Sequence, residues 1–423
     1  MSEKHRLLVG IDLCNDFTQI TCYDERIFEP VPVGNDFGDE EYKLIPTAAA
    51  AKNGGKDWVF GEHVDALAKQ EEQVQVFRDL IDTVLAKEKF MIFDKEEEAS
   101  YVLGKFLRYV LMFLKKDYPN DTIRKLVVTV EERNPVLLEA LYQEFGKLGL
   151  QEDRLVVQGH KQSYMYYALS QNRELWMNDV GLFAYTKKGL HYSQISIDRR
   201  NVNLIAGVKE RDCSDVIDYA LLSEEDTDSI KQIFLNLAGS LLHRQLVSTI
   251  YVTGEGFEHE FAKDALVELC AGRRVFKGQN LYTKGACYAA RELSGGGKLE
   301  GCIFLDEEMV ESNLSVRIYR DAKHEELTLV KAGTPWYDVD EKIAFIPDDE
   351  DEIQLTAQNV MKRERKSHLL SLVGIAGRDN KMTRFTLRIR FADVHTCIVT
   401  LKDEGFGTYV PSSNRIWERN IVL

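Results

Sequence analysis

Apolar and polar positions follow two regimes along the chain. Up to Ser294-Gly295-Gly296-Gly297, short apolar runs that read as strands alternate with stretches whose apolar residues recur at helical spacing. Beyond that segment helical spacing nearly disappears and strand-like runs dominate. The glycine-rich segment is flexible punctuation, so the pattern predicts two domains, 1–298 and 299–423.

In the first regime, residues 7–13 predict a buried strand, Cys14-Asn15-Asp16 a polar turn and residues 17–23 a second strand, which together make a hairpin. A second hairpin is expected from 45–48 and 58–60 about Asn53-Gly54-Gly55, residues that tolerate positive φ. Residues 126–130 predict a strand. Asn134-Pro135 then offers an N-cap and a first-turn proline for a helix ending near Gly146. A strand at 155–157 and a helix at 161–169 follow. Residues 180–185 and 190–197 predict a third hairpin turning at Lys187-Lys188-Gly189. Ile230, Ile233, Phe234, Leu237 and Leu241 mark a helix leading into a strand at 248–253. This domain reads as α/β with two similar halves, each opening on a hairpin. The dense apolar stripe of 101–113 reads as core packing. After the linker, strands are expected at 314–319, 326–331, 352–358, 384–391 and 396–401, the pattern of a β-sandwich.

Charge narrows the function classes. A formal net charge of −15 argues against nucleic acid as a partner, because a phosphate-backbone binder needs clustered positive charge. No run approaches the roughly 20 apolar residues of a membrane span, so no membrane association is expected. The seven cysteines are scattered without a C-x-x-C pair, which fits reduced thiols in a cytoplasmic protein. The nine histidines are equally dispersed, and no transition-metal site is indicated. The acidic stretch 348–352 and the basic stretch 362–366 read as solvated loops or a hairpin of opposed charges.

Several motifs together carry a resemblance: Gly10-Ile11-Asp12-Leu13 entering a tight hairpin, Asp179-Val180-Gly181 opening another, Val252-Thr253-Gly254-Glu255-Gly256, and Thr283-Lys284-Gly285-Ala286. In order and spacing they resemble the actin and heat-shock-chaperone ATPase superfamily, and DnaK-type chaperones best. Cys302-Ile303-Phe304-Leu305-Asp306 is similar to the apolar interdomain linker of those chaperones, and Leu372-Val373-Gly374-Ile375 with 385–391 and 397–405 to their substrate-binding β-domain.

The resemblance implies an actin-like ATPase fold followed by a β-sandwich without a helical lid. It also implies a site for ATP and Mg²⁺. Asp12, Asn15, Asp16, Asp179, Gly181, Gly254, Glu255, Gly256 and Gly285 would contact nucleotide, and Asp12 and Asp179 would hold the metal. Backbone amides of such hairpins form an anion cradle, and carboxylates hold the water shell of Mg²⁺.

The sequence departs from the family pattern. Cys14-Asn15-Asp16 stands where the first loop should continue with Gly-Thr-Thr, and Leu182-Phe183-Ala184 where the second should be glycine-rich. Gly159, in Gln158-Gly159-His160-Lys161, occupies the place of the catalytic acid, and Arg78 is nearest to that of the phosphate-contacting lysine. The expected function is therefore a diverged, chaperone-like protein that acts by binding a protein or peptide, with weak or absent hydrolysis. The matching β-domain loops are polar, including Arg320 to Glu325, which favours a specific partner over generic apolar clients. The alternatives are an active Mg²⁺–ATP-dependent chaperone or switch, with Asp12, Asp16 and Asp179 around the metal, and a sugar or carboxylate kinase of the same fold.

Overall fold

The computed structural model describes the chain except for residues 1–5, 35–42, 71–72, 201–202, 224–226, 349–351, 372–377 and 379–380. The fold is mixed α/β with a strand-rich C-terminal region. Contacts divide it into two compact units, Met1–Ile195 with Glu210–Glu300, and Ser196–Lys209 with Gly301–Leu423.

The first half of the first unit comprises β1 (Arg6–Leu13), β2 (Phe17–Asp24), β3 (Glu29–Val33), α1 (Ala99–Asp117), β4 (Thr122–Val130), α2 (Pro135–Lys147), β5 (Leu155–Gly159) and α3 (His160–Ser170). Its sheet has the order β5-β4-β1-β2-β3. β1 is almost wholly buried because it is central, antiparallel to β2 and parallel to β4. The expected start of α2 is present, with Asn134 Oδ1 accepting the Val136 N–H at 2.9 Å. α1 buries Val102, Phe106, Leu107, Val110 and Phe113 along one stripe in the core of this half.

The second half repeats the same sequence of elements: β6 (Asp179–Thr186), β7 (Gly189–Asp198), β8 (Ile205–Asp212), α4 (Thr227–Leu241), β9 (Val247–Thr253), α5 (Glu260–Leu269), β10 (Arg274–Lys277) and α6 (Leu281–Glu292). Its sheet order, β10-β9-β6-β7-β8, matches the first position for position. Three antiparallel strands are followed by two parallel ones in each. α3 and α6 meet closely: a Cβ on Gly285 would sit 2.0 Å from the Ser163 carbonyl oxygen. α6 also lies directly on β1, where a Cβ on Gly10 would sit 2.4 Å from both the Cys287 nitrogen and the Thr283 oxygen.

Between β3 and α1 the structure corrects one expected hairpin. Ala49–Lys52 pairs with Asp57–Phe60 about Asn53-Gly54-Gly55, but Ile45–Pro46 pairs with β2 instead.

In the second unit, β11 (Ile303–Leu305) runs parallel to β8. Two antiparallel sheets follow, with the order β13-β12-β15-β16 in one and β14-β17-β18-β19 in the other. The strands are β12 (Ser312–Arg320), β13 (Lys323–Val330), β14 (Asp340–Phe345), β15 (Glu352–Asn359), β16 (Arg365–Ser371), β17 (Arg384–Asp393), β18 (Thr396–Gly405) and β19 (Ile416–Val422). One apolar cluster joins the two sheets, with Leu314, Val316 and Leu355 from one and Phe385, Leu387 and Val399 from the other. The basic stretch enters β16, which pairs with β15. Most of the acidic stretch, at 349–351, and the Leu372-Val373-Gly374-Ile375 motif lie outside the described residues.

Candidate functional site

The residues that the sequence singles out in the first hairpin do meet the second half, through the two hairpin turns. In the β1–β2 turn, Asn15 Oδ1 accepts the N–H groups of Ile81 (3.0 Å) and Asp82 (3.3 Å) at the start of the short helix Leu80–Leu85. The Cys14 N–H donates to the Phe17 carbonyl at 3.3 Å, so the turn is closed by its own backbone. Asp16 reaches outward and accepts from Lys187 Nζ in the β6–β7 turn. The adjacent Lys188 Nζ donates to Glu131 Oε2 at 2.6 Å, just past the end of β4.

Each turn thus supplies what the other lacks in charge. Bonding to Asp16 raises the Lys187 ammonium above its usual value against the effect of burial, and the charges of Asp16 and Glu255 add to it. Around the turns, Asp12, Asp16, Glu131 and Glu255 set four carboxylates against the ammonium groups of Lys187 and Lys188. That balance does not offer a positive cradle to a polyphosphate. Asp16 thus has a lysine partner in the opposite turn.

Asp179 and Gly181 are not brought to Asp12. Asp179 is the first residue of β6, and the Lys187-Lys188 turn lies past the other end of that strand, roughly 23 Å of extended chain away. The Asp-x-Gly signature mimics a phosphate loop, but β6 continues through Leu182 to Thr186 before it turns. Asp179 Oδ2 instead accepts from Gln194 Nε2 at 2.8 Å. A Cβ on Gly181 would lie 3.1 Å from the Tyr192 hydroxyl. Asp12 and Asp179 therefore cannot share one Mg²⁺ in this fold.

The other glycines face their own chain. Gly254 has φ +97°, and a Cβ there would fall 2.3 Å from the Tyr185 oxygen. One on Gly256 would fall 2.4 Å from the Tyr185 ring. The close approach that these residues permit is to buried Tyr185, whose hydroxyl donates to the Asp218 carbonyl at 2.7 Å. Gly285 serves the packing of α3 on α6. Arg78, the nearest match to the phosphate-contacting lysine, pairs with Asp65.

A constellation that sequence reasoning missed lies beside Asp12. His160, the first residue of α3, places Nε2 2.8 Å from Asp12 Oδ1 and 3.8 Å from Cys14 Sγ, and Cys14 Sγ lies 3.5 Å from the same Asp12 oxygen. The imidazole stacks on Tyr282 with ring centroids 3.8 Å apart. Asp12 and His160 keep only 11% and 14% of their side-chain surface. Burial, followed by the charges of Asp12 and Glu131, pushes the Cys14 thiol well up, so without a further cation it stays protonated at neutral pH. The only sequence signal is Gln158-Gly159-His160-Lys161, and nothing in it points 148 residues back to Asp12.

Fold and site together define a two-unit protein whose first unit carries a duplicated strand–helix topology with facing hairpin turns. Residues 29–307 match the C-terminal model of a family of unknown function, DUF5716, and 309–423 match a domain of unknown function, DUF8552. The chain belongs to the DUF5716 family. No curated protein matches it. Among the described residues no helix is long and apolar enough to cross a membrane.

Proposed function

We propose that the protein is a diverged, chaperone-like member of the actin superfamily that acts by binding a protein partner, with a nucleotide site that has lost its phosphate cradle. The repeated order of three antiparallel and two parallel strands, with a helix pair at the centre, supports the actin-like reading. Fold alone does not assign chemistry, so the functional half rests on the turns. The observation that carries it is the pairing of Asp16 with Lys187 and Glu131 with Lys188, which supports the reading because both lysines of the second turn are already matched by carboxylates. A partner surface is assigned to the second unit, where β12, β13 and β16 carry mixed charge, including Arg317, Glu326 and Arg365.

Lys187 and Lys188 also favour a second reading. Exposed ion pairs are worth about 0–1 kcal/mol each, so a phosphate chain of higher charge could displace both carboxylates. The protein would then be an ATP-dependent switch.

Melting the full chain with and without millimolar Mg²⁺–ATP, alongside an assay for ADP release, separates the two. The first reading expects no shift and no turnover. A shift of several degrees, lost when Lys187 and Lys188 are both changed to Ala, would establish the second, because a ligand bound only by the folded state stabilises it by mass action. ADP release that depends on an added hydroxy compound would instead indicate a kinase.

A further inference from the structure

Three donor atoms of different chemistry converge at the end of β1: a carboxylate oxygen of Asp12, the sulfur of Cys14 and the Nε2 of His160, all within 4.8 Å of one another. Two of them are two residues apart where the chain leaves β1, and the third comes from the start of α3. The ring of His160 is held flat against Tyr282, so its nitrogen is aimed before any ligand arrives.

The bland account is an aspartate–histidine ion pair with a thiol beside it. A relay that activates a nucleophile is a further option, but it needs the acid and the thiol on opposite ring nitrogens. Here both meet Nε2. The three atoms form a closed triangle, not a chain. Bond lengths of about 2.3 Å to sulfur and about 2.0–2.1 Å to nitrogen and oxygen give a tetrahedral zinc site edges of about 3.6 Å for S···N and S···O and about 3.4 Å for N···O. The observed S···N and S···O edges are 3.8 and 3.5 Å. The N···O edge is 2.8 Å, the length of a hydrogen bond, and would open by about 0.6 Å if a cation replaced the proton.

We propose that Asp12, Cys14 and His160 form a three-ligand site for a borderline-soft divalent cation, Zn²⁺ foremost, with its fourth position open to water. The charges balance: a thiolate, a carboxylate, a neutral imidazole and a dipositive ion sum to zero in a site that is mostly withdrawn from solvent. On binding, the thiol gives up its proton to solvent, and so does the imidazole where it is charged. Sulfur and nitrogen donors select against Mg²⁺, which prefers six oxygens and keeps its waters. The ion would tie the end of β1 to the start of α3, segments 148 residues apart, and so stabilise the first unit. This holds whether or not a nucleotide binds.

The test begins with the full chain, untagged, stripped with a chelator and dialysed. Titration with Zn²⁺ should show one tight equivalent per chain and a raised melting temperature. Co²⁺ in its place should give the thiolate-to-metal charge-transfer band and the intense visible bands of a tetrahedral ion. Cys14→Ser should abolish the charge-transfer band, while Cys270→Ser, at an exposed thiol, should leave it intact. His160→Gln should weaken Zn²⁺ by more than the roughly 10–100-fold that loss of a supporting partner costs. X-ray absorption on zinc-loaded wild type needs no variant to fold, and should find a single sulfur at about 2.3 Å with nitrogen or oxygen at about 2.0–2.1 Å. A shell without sulfur, a shell with two or more sulfurs, or undiminished affinity in a folded Cys14→Ser protein would overturn the proposal.

Discussion

The two halves of the first unit share one topology and differ at the point where their hairpins turn. In the first half the penultimate residue of the leading strand is Asp12, followed by Cys14, Asn15 and Asp16. In the second the same position is Tyr185, followed by Lys187 and Lys188. One turn is acidic and lies beside His160 and a thiol. The other is basic, and the strand behind it ends in an aromatic ring sealed by Gly254 and Gly256. A common backbone places the turns face to face, and divergence of the side chains lets them neutralise each other. The comparison teaches that a duplicated fold fixes where a site lies, whereas the residues at its turns decide what it can hold.

The comparison can be broken most severely at Tyr185. Its ring is fully buried where the first half has the carboxylate of Asp12, so Tyr185→Ala should cost about 3–5 kcal/mol, read by denaturant unfolding. Gly285→Ala attacks what the halves share. With Ser163 O 2.0 Å from the new methyl group, the α3–α6 contact must open, at about 1–3 kcal/mol. Unfolding midpoints that do not move would show that the helices slide without cost.

A pH profile sharpens the contrast further. In the second half, the hydrogen bond to Glu210 raises the His191 pKa above 6.5 against the effect of burial, and the charges of Glu210, Asp212 and Glu131 add to the rise. Bonding to His191 lowers the Glu210 pKa below 4.5 despite burial, helped by Lys161. The histidine's contribution is complete below pH 6.5 and is lost as pH rises through the raised value. The carboxylate's contribution is complete above pH 4.5 and is lost as pH falls through the lowered one. The pair therefore stabilises most between 4.5 and 6.5. His191→Gln should lower stability most within that window and lessen the falls above pH 6.5 and below pH 4.5, and a curve unchanged in shape would remove the pair from the account. The smallest effect is expected at the exposed contact itself: Lys187→Ala should change stability by about 0–1 kcal/mol.

Much of this fold was legible because its central strands and capped helices carry strong local signals. The apolar run of β1, the Asn134-Pro135 start of α2 and the Lys187-Lys188-Gly189 turn all fall where the pattern places them. Strands β14, β16 and β19 escaped because they lie at sheet edges. Their sequences, DEKIAF, RKSHLLS and IWERNIV, expose several side chains to water and lack a clean period of two. The site was legible only on one side. Asp12 and Asp16 stand out by their place at or in a turn, but the Asp-x-Gly motif at Asp179 is a louder signal than two lysines and lies at the far end of β6 from the turn. His160 reaches Asp12 only through the sheet order, in which β4 alone separates β1 from β5 and the start of α3, and no spacing rule encodes that.

The central claim is that the two turns bind each other in place of phosphate. Calorimetric titration of Mg²⁺–ATP into the wild-type chain and into an Asp16→Asn, Glu131→Gln variant tests it directly, with unfolding curves to show that both are folded. The account predicts no binding heat for wild type and measurable affinity once the lysines are released from their carboxylates. Saturable wild-type binding that disappears in Lys187→Ala, Lys188→Ala would contradict it and make the turns a working phosphate grip.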